Sequence, residues 1–223
     1  GEACARYAHE AEVLEFGEPG GMMDHYATAC GGVMSIDFQP DLHVERLNCP
    51  LKTFVLGNSG EPKDTKGILA RVKNGVLEAV GVLGRGDPQF SLATATLAAI
   101  LRRGGDLARD QIALLEGTLR NRDITAEARR VMRSPVLDHR RLGQLLTEHQ
   151  SVLRDALKIS TPKIDRMLDA ALGNGAYGGK INGSGGGGCM FAYAPEQPER
   201  VAEAIERAGG QAFIVAADEG MRV

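Results

Sequence analysis

The stretch Gly183-Ser184-Gly185-Gly186-Gly187-Gly188-Cys189, near the C-terminal end, decides how the rest of the chain is interpreted. A loop with so few side chains lets its backbone approach a partner closely, because glycine adopts positive φ without steric cost. Consecutive N–H groups in such a loop form a concavity for anions, and phosphate is its usual ligand. We therefore expect the loop to bind phosphate through Gly183, Ser184, Gly185, Gly186 and Gly187.

Two other interpretations of the glycine run fit the sequence less well. Flexible linkers usually have polar flanks, whereas residues 180–182 and 189–194 on either side are largely apolar. A dinucleotide-binding G-x-G-x-x-G motif should follow a strand and open a helix, but the next segment favours a strand and stops at Pro195. The phosphate-binding pattern G-x-x-x-x-G-K-[ST] is absent, since Gly179-Lys180 is followed by Ile181.

A second unusual segment lies near the other end of the chain, at Glu18-Pro19-Gly20-Gly21-Met22-Met23-Asp24-His25. It places the Asp24 carboxylate directly after a glycine turn. A phosphate-binding loop and a positioned carboxylate together indicate phosphoryl transfer, which depends on positioning and charge neutralisation. The alternative for Asp24 is an Asx-turn or a helix cap, which are common after Gly-Gly.

Composition excludes several classes of function. The chain has 223 residues, 43% hydrophobic and 25% charged, which suits one or two globular domains. A net charge of −3, no tryptophan and 4% aromatic residues indicate no nucleic-acid partner and no affinity for anionic membranes. The sequence shows neither a long apolar run nor a signal peptide, so we expect no membrane span. Four scattered cysteines without a C-x-x-C pair favour a reducing cytoplasm over a disulfide framework.

Apolar periodicity and Gly/Pro punctuation predict an α+β fold with an antiparallel or mixed sheet. The first expected helix, residues 2–15, would face the core with Cys4, Ala8, Ala11 and Leu14. The other expected elements are a hairpin of 32–38 and 42–48 around Gln39-Pro40-Asp41, a buried strand at 51–57, a helix capped by Asp64, helices at 107–120, 125–133, 138–157 and 162–173, then a strand, the glycine loop, strand 189–194, helix 198–208 and strand 211–217. Because Gly1 opens directly into helical sequence, we expect an N-terminal part to be missing.

Two motifs carry a resemblance to a known family. Residues 180–189 (Lys-Ile-Asn-Gly-Ser-Gly-Gly-Gly-Gly-Cys) resemble the third motif of the GHMP small-molecule kinases, the superfamily of galactokinase and mevalonate kinase. Residues 19–25 (Pro-Gly-Gly-Met-Met-Asp-His) resemble the galactokinase stretch Pro-Cys-Gly-Ile-Met-Asp-Gln, and residues 148–155 resemble the helix ahead of the glycine loop. Spacing and order agree across essentially the whole chain.

The resemblance implies a two-layer GHMP-kinase-like architecture. Residues 1–49 would be the remainder of the N-terminal, ribosomal S5-like domain, and 50–223 the helix-rich C-terminal domain with a ferredoxin-like sheet. The family's first motif, which contacts the sugar, and its second, which wraps the ATP phosphates, lie upstream of a segment like residues 1–24. We therefore expect this chain alone not to turn over ATP.

The resemblance also assigns roles. Asp24 would accept or orient the proton of the attacking hydroxyl, and Glu12, with Glu10 and Glu15 as competitors, would bind Mg²⁺. Gly20, Gly21 and His25 would line the substrate site, although His25 replaces the usual Gln and is equally explained as a structural histidine. Core packing is the expected role of His149, and a weak substrate-facing role is open to Asn58 and Ser59.

The function implied is an ATP-dependent phosphotransferase with an alcohol acceptor, closest to galactokinase, with ATP and Mg²⁺ as cofactors and a small sugar as substrate. A related kinase for a heptose phosphate or mevalonate is the alternative within enzymes. A non-catalytic sugar or nucleotide sensor on the same fold is the alternative outside them. Neither the acceptor nor the oligomeric state follows from the sequence.

Overall fold

The computed structural model describes residues 1–17, 21–38, 41–63, 67–68, 70–87 and 89–222. Its N-terminal part begins with helix α1 (Glu2–His9), which continues into a π-helical turn (Glu10–Leu14). Helix α2 (Met23–Cys30) follows, and strands β1 (Met34–Asp37) and β2 (His43–Arg46) form the predicted antiparallel hairpin. A small core joins these elements through Ala5, Tyr26 and Cys30, packed against Met34, Ile36 and Val44.

The predicted inward face of the first helix is wrong. The structure exposes Cys4, Ala8, Ala11 and Leu14 and buries Ala5, His9 and Val13, which recur every four residues. That spacing marks one face of a helix as clearly as the predicted set does. The aromatic and sulfur groups of α2, Tyr26 and Cys30, select the second face by packing against Ala5.

The second sheet contains β3 (Phe54–Asn58), β4 (Gly178–Ile181), β5 (Cys189–Tyr193) and β6 (Gln211–Val215). Its strands are antiparallel and lie in the order β4-β5-β3-β6, which is the ferredoxin-like order. Helices α7 (Pro162–Gly173) and α8 (Pro198–Arg207) cover one face of it. The core there consists of side chains from both layers, including Val55, Met190, Ala192, Ile164, Met167, Leu168 and Ile205. The predicted α+β fold is therefore confirmed.

A helical layer connects β3 to β4. It comprises a second π-helical turn (Ala70–Asn74), α3 (Gly75–Gly86), α4 (Leu97–Arg103), α5 (Arg109–Met132) and α6 (His139–Asp155). Residues 107–120 and 125–133 were expected to form two helices, and the structure merges them into α5. No Gly or Pro interrupts 121–124, and the Thr125 hydroxyl donates to the Asn121 carbonyl at 2.8 Å within the continuous helix. The predicted cap Asp64 and the hairpin residues Gln39 and Pro40 lie outside the described residues.

An ion-pair cluster fastens the hairpin to α5. Arg129 contacts Asp37 at 2.9 Å and Glu45 at 2.8 Å, and Arg133 contacts Glu45 at 2.5 Å. Hydrogen bonds from Arg133 and then Arg129 lower the pKa of Glu45 to about 2.

The division of the chain into two domains at residues 49 and 50 stays a prediction. Within the described ranges, no helix combines the length and apolarity needed to cross a bilayer.

Candidate active site

The glycine loop connects β4 to β5 and takes a conformation that only glycine adopts readily. Gly183 and the four glycines 185–188 all have positive φ, between 69° at Gly183 and 121° at Gly187. Space around the loop is also restricted. A Cβ at Gly185 would lie 2.6 Å from the Ile159 carbonyl oxygen, and one at Gly187 would lie 2.6 Å from that of Pro62. Both backbone angle and close approach therefore require glycine here.

Backbone hydrogen bonds hold the loop from two sides. The Gly186 N–H donates to the Ile159 carbonyl at 2.7 Å, and the Gly188 N–H donates to the Glu61 carbonyl at 3.1 Å. Ser59 donates its hydroxyl to the Gly188 carbonyl at 2.7 Å. The expectation that successive loop N–H groups point at an anion is therefore wrong for the N–H groups of Gly186 and Gly188, which bind protein carbonyls.

Two lysines lie at the loop. The Lys63 side chain runs over the glycines, with its Nζ 2.8 Å from where a Gly183 Cβ would stand and its Cδ 3.4 Å from the same position at Gly188. Lys180 precedes the loop on β4 and donates its ammonium to the Ile181 carbonyl at 2.7 Å. Burial lowers the pKa of Lys180 to about 8. In the described ranges neither lysine has a carboxylate partner.

Gln150 of α6 positions the strand that leads into the loop. Helix α6 runs along β4, and the Gln150 carbonyl accepts the Ile181 N–H at 2.8 Å. Its amide nitrogen donates to Ser160 Oγ at 2.9 Å and lies 3.3 Å from Asp165 Oδ1. Gln150 is only 5% exposed, and its bond to the Ile181 N–H is buried.

Gln150→Leu is expected to destabilise the fold by about 1–3 kcal/mol, because it leaves the Ile181 N–H buried without an acceptor. Urea unfolding of both proteins measures the difference. Gln144→Leu is the matched control, since Gln144 is exposed on the same helix. Equal losses in the two variants would contradict the assignment.

Asp24 lies in the first turn of α2 with an exposed side chain. The N-cap residue is Met22, and no side chain caps this helix. Of the two alternatives for Asp24, an Asx-turn or a helix cap, the helix cap is therefore excluded. In the described part of the chain its carboxylate has no hydrogen-bond or ion-pair partner. A Cβ at Gly21 would meet no described residue within 4 Å, and Gly20 lies outside the described residues.

Glu12 and His25 form a pair. Glu12 projects from the π-helical turn after α1, and its Oε2 lies 2.9 Å from His25 Nε2. The His25 side chain is 10% exposed and the Glu12 side chain 75%. His9 packs edge-on against His25, with ring centroids 5.4 Å apart. Glu12 is thus more than part of a solvated helix face, and His25 contacts Glu12 instead of the neighbouring Asp24.

His25 Nδ1 is buried and has no hydrogen-bond partner among the residues that the structure describes. A buried polar atom left unpaired is costly, and such atoms need an explanation. The three side chains His9, Glu12 and His25 do not form a metal-binding group, and none of three or more His, Cys, Asp or Glu occurs in the described ranges. Mg²⁺ typically takes only one or two carboxylates together with phosphates, so Glu12 stays a predicted ligand.

His149 was expected to pack in the core, and it is half-buried beside a cavity of about 490 Å³ between the hairpin and helices α5 and α6. Burial, and then the nearby Lys180 charge, lower its pKa to about 4. Because the unfolded chain binds a proton at this histidine more readily, stability is complete above pH 6.5 and falls as pH drops towards 4.

The expected loss from His149 over this pH range is about 3 kcal/mol at most. Urea unfolding between pH 7 and pH 4 measures it, and a His149→Gln variant should lose that much less. Parallel pH curves for the two proteins would contradict the prediction.

The structure thus gathers the predicted residues into two groups. Glu12 and His25 meet in the N-terminal part, and the glycine loop meets residues 59–63 and Ile159. Phosphoryl transfer would require Asp24 and the loop to lie on one cleft, and this convergence stays a prediction. Sequence reasoning missed Lys63 and Gln150. Lys63 lies four residues after Ser59, for which the sequence left a substrate-facing role open. Its position over Gly183, however, follows only from the folded conformation of the loop.

Comparisons with known proteins agree with this arrangement. The ferredoxin-like sheet carries the glycine loop between β4 and β5. The family model described as GHMP kinases C terminal matches residues 128–211. Kinases of this family transfer phosphate to alcohol groups and use ATP, generally with Mg²⁺.

A mevalonate kinase from Thermococcus onnurineus is 32% identical over 223 residues, covering 100% of this chain and 57% of that protein. A galactokinase from Streptomyces coelicolor is 28% identical over 245 residues, covering 96% of this chain and 61% of that protein. The chain therefore spans less than two thirds of either relative. A crystal structure of Lactococcus lactis galactokinase with galactose matches with a TM-score of 0.77 and 18% identity, covering 96% of this chain and 58% of that one, which establishes the shared fold.

Proposed function

We propose that the complete protein is an ATP-dependent kinase that transfers the γ-phosphate of ATP to a hydroxyl group of a small polar molecule, with a sugar as the first candidate. The observation that carries the proposal is the glycine loop with its two lysines. Lys180 is a partly buried cation that has no carboxylate partner among the described residues, and an unpaired buried charge is unfavourable unless a ligand compensates it. A phosphate at the loop would supply the missing negative charge.

Asp24 provides the acceptor side of the reaction. Its exposed carboxylate, which has no partner in the described part of the chain, accepts the proton of the acceptor hydroxyl as the oxygen attacks the γ-phosphorus, and ADP departs with the bridging oxygen. The open space at Gly21 leaves room for the acceptor close to the backbone. Mg²⁺, when bound, neutralises phosphate charge, and the 75% exposed Glu12 is the residue that would hold it.

The loop supports the reaction chiefly by its shape and by nearby charge. With the Gly186 and Gly188 N–H groups bonded to protein carbonyls, Lys63 and Lys180 become the groups that would compensate phosphate charge. A lysine is a compact cation that binds phosphate as a point charge. The hydrogen bonds to Ile159 and Glu61 keep the loop in one conformation, which lowers the cost of ordering it on binding.

A second acceptor class is favoured by a different observation. Identity is 32% to a mevalonate kinase over 100% of this chain and 28% to a galactokinase over 96% of it, so mevalonate is the alternative to a sugar. His25 stands where the galactokinase motif has Gln, which also separates this chain from that motif. A heptose phosphate is the remaining candidate.

The test is ADP release by the complete protein with Mg²⁺-ATP and galactose, a heptose phosphate or mevalonate in parallel. Acceptor-dependent release that disappears in Asp24→Asn supports a kinase and identifies its acceptor. Saturable binding of ATP or sugar without acceptor-dependent release would instead identify a sensor and overturn the proposal.

A further inference from the structure

The residues after β6 cross the far end of helix α2. Residues 216–222, which we call the strap, leave the sheet, and the Gly32 N–H donates to the Asp218 carbonyl at 2.6 Å. The Asp218 carboxylate accepts the Gly220 N–H at 2.9 Å and contacts Arg222 at 3.1 Å. These bonds fix the turn of the strap where it meets Gly32.

Two glycines allow the strap and α2 to touch backbone to backbone. Gly31, the C-cap of α2, has φ of 63°, and a Cβ on it would overlap the peptide between Glu219 and Gly220. Gly220 has φ of 91°, and a Cβ on it would lie 2.6 Å from the Gly31 nitrogen and 2.7 Å from the Cys30 carbonyl carbon. Each glycine therefore leaves no room for a side chain on the other.

The crossing connects two parts of the proposed reaction. Helix α2 carries Asp24 in its first turn and ends at the strap, and its eight residues span only about 12 Å. The strap continues from β6, whose sheet also carries the glycine loop. The Arg129 ion pairs also link the N-terminal part to the rest, but they hold the hairpin and not α2.

We propose that the strap is a positioning element that sets the Asp24-bearing helix against the sheet that carries the glycine loop, with Gly31 and Gly220 as its positioning residues. The inference rests on the proposed kinase function. A helix behaves as a rigid rod over this length, so a shift at Gly31 moves Asp24 with it. Misplacement of a reacting group by ~1 Å can cost about 10²-fold in rate.

The chain offers matched controls for both glycines. Gly31→Ala and Gly60→Ala both place a Cβ at positive φ, 63° and 69°, but nothing lies within 4 Å of the second, which is not in contact with the strap. Gly220→Ala compares with Gly209→Ala, where φ is 93° and the nearest atom is 3.6 Å away. A chain ending at Ala217 removes the crossing without adding any side chain.

Kinetics of the complete protein, well below each variant's unfolding temperature, test the positioning role. Gly31→Ala, Gly220→Ala and the truncation are expected to lower kcat at least about tenfold and to raise the KM of the acceptor, with the KM of ATP unchanged. The two control variants should keep the kcat and the acceptor KM of the unaltered protein. Loss of folded protein alone would lower kcat without this split between the two KM values, and that result would overturn the proposal.

Hydrogen exchange of the α2 amides gives a measurement that does not depend on catalysis. Residues 26–30 should exchange faster in Gly220→Ala and in the truncated chain than in Gly209→Ala. Equal exchange rates would overturn the positioning role of the strap even if the protein is a kinase. Faster exchange in a protein that never phosphorylates an acceptor would overturn the proposed function and leave the hold of the strap on α2 established.

Discussion

Replacing Asp24 with Asn is expected to lower kcat at least about 100-fold in the complete protein, with little change in the affinity for ATP. Asn keeps the size of the side chain and removes the group that accepts the proton. Asp24 caps no helix and has no partner in the described residues, so the substitution breaks no hydrogen bond that stabilises the fold. The expected loss of kcat is therefore caused by an impaired reaction step and not by a less stable fold.

Steady-state kinetics with saturating acceptor, together with nucleotide titration, measure the two quantities separately. Glu199→Gln is the matched control, because Glu199 is also an exposed carboxylate in the first turn of a helix. A near-normal kcat in Asp24→Asn would remove this residue from the mechanism. A large loss in the control would show instead that helix-end charge alone explains the effect.

The C-terminal half of the fold could be predicted because its boundaries carry strong local signals. Thr161-Pro162 predicts a helix start, and Thr161 Oγ1 does accept the Ile164 N–H at 3.3 Å. The glycine run and Pro198 divide the remaining sequence into β5, α8 and β6. Turn and cap residues act on their immediate neighbours, so a single sequence is enough to interpret them.

The elements that were predicted wrongly depend on packing between distant residues. Either face of α1 is a valid helical stripe, and only contact with Tyr26 and Cys30 decides between them. In the middle of the continuous helix α5, Arg122 donates to the carbonyls of Leu92 at 2.7 Å and Ala95 at 2.9 Å across the helical layer. Propensity is a weak guide where tertiary contacts of this kind contribute.

The candidate site shows the same contrast between features that local sequence predicts and features that depend on tertiary contacts. Asp24 and the glycines were chosen from local sequence, whereas the Glu12–His25 pair joins residues 13 positions apart across a turn. The positive φ of the loop glycines followed from composition, but the partners of the Gly186 and Gly188 N–H groups come from segments more than 25 positions away. Composition therefore predicts which conformations a loop can adopt, and tertiary contacts decide which of its groups remain for a ligand.

Gly185→Ala is expected to raise the KM of ATP at least about tenfold while changing the KM of the acceptor little, since the loop and not Asp24 faces the nucleotide in the proposed function. The added Cβ would lie 2.6 Å from the Ile159 carbonyl oxygen and 2.7 Å from the Ile159 Cβ. Neither is the flexible end of a side chain, so the loop itself must move. That movement also strains the neighbouring bond from Gly186 N–H to the Ile159 carbonyl.

Positive φ alone costs an alanine about 1–2 kcal/mol, and the control must share that cost without the collision. Gly60→Ala does so, because Gly60 has φ of 69° and nothing lies within 4 Å of its Cβ position. Initial rates over a range of ATP concentrations, with unfolding curves for each variant, separate the two effects. If both variants lose the same stability but only Gly185→Ala weakens ATP, the shape of the loop is what binds the nucleotide. If the KM of ATP is the same in both, the loop has no part in nucleotide binding, and Lys63 and Lys180 lose their proposed ligand with it.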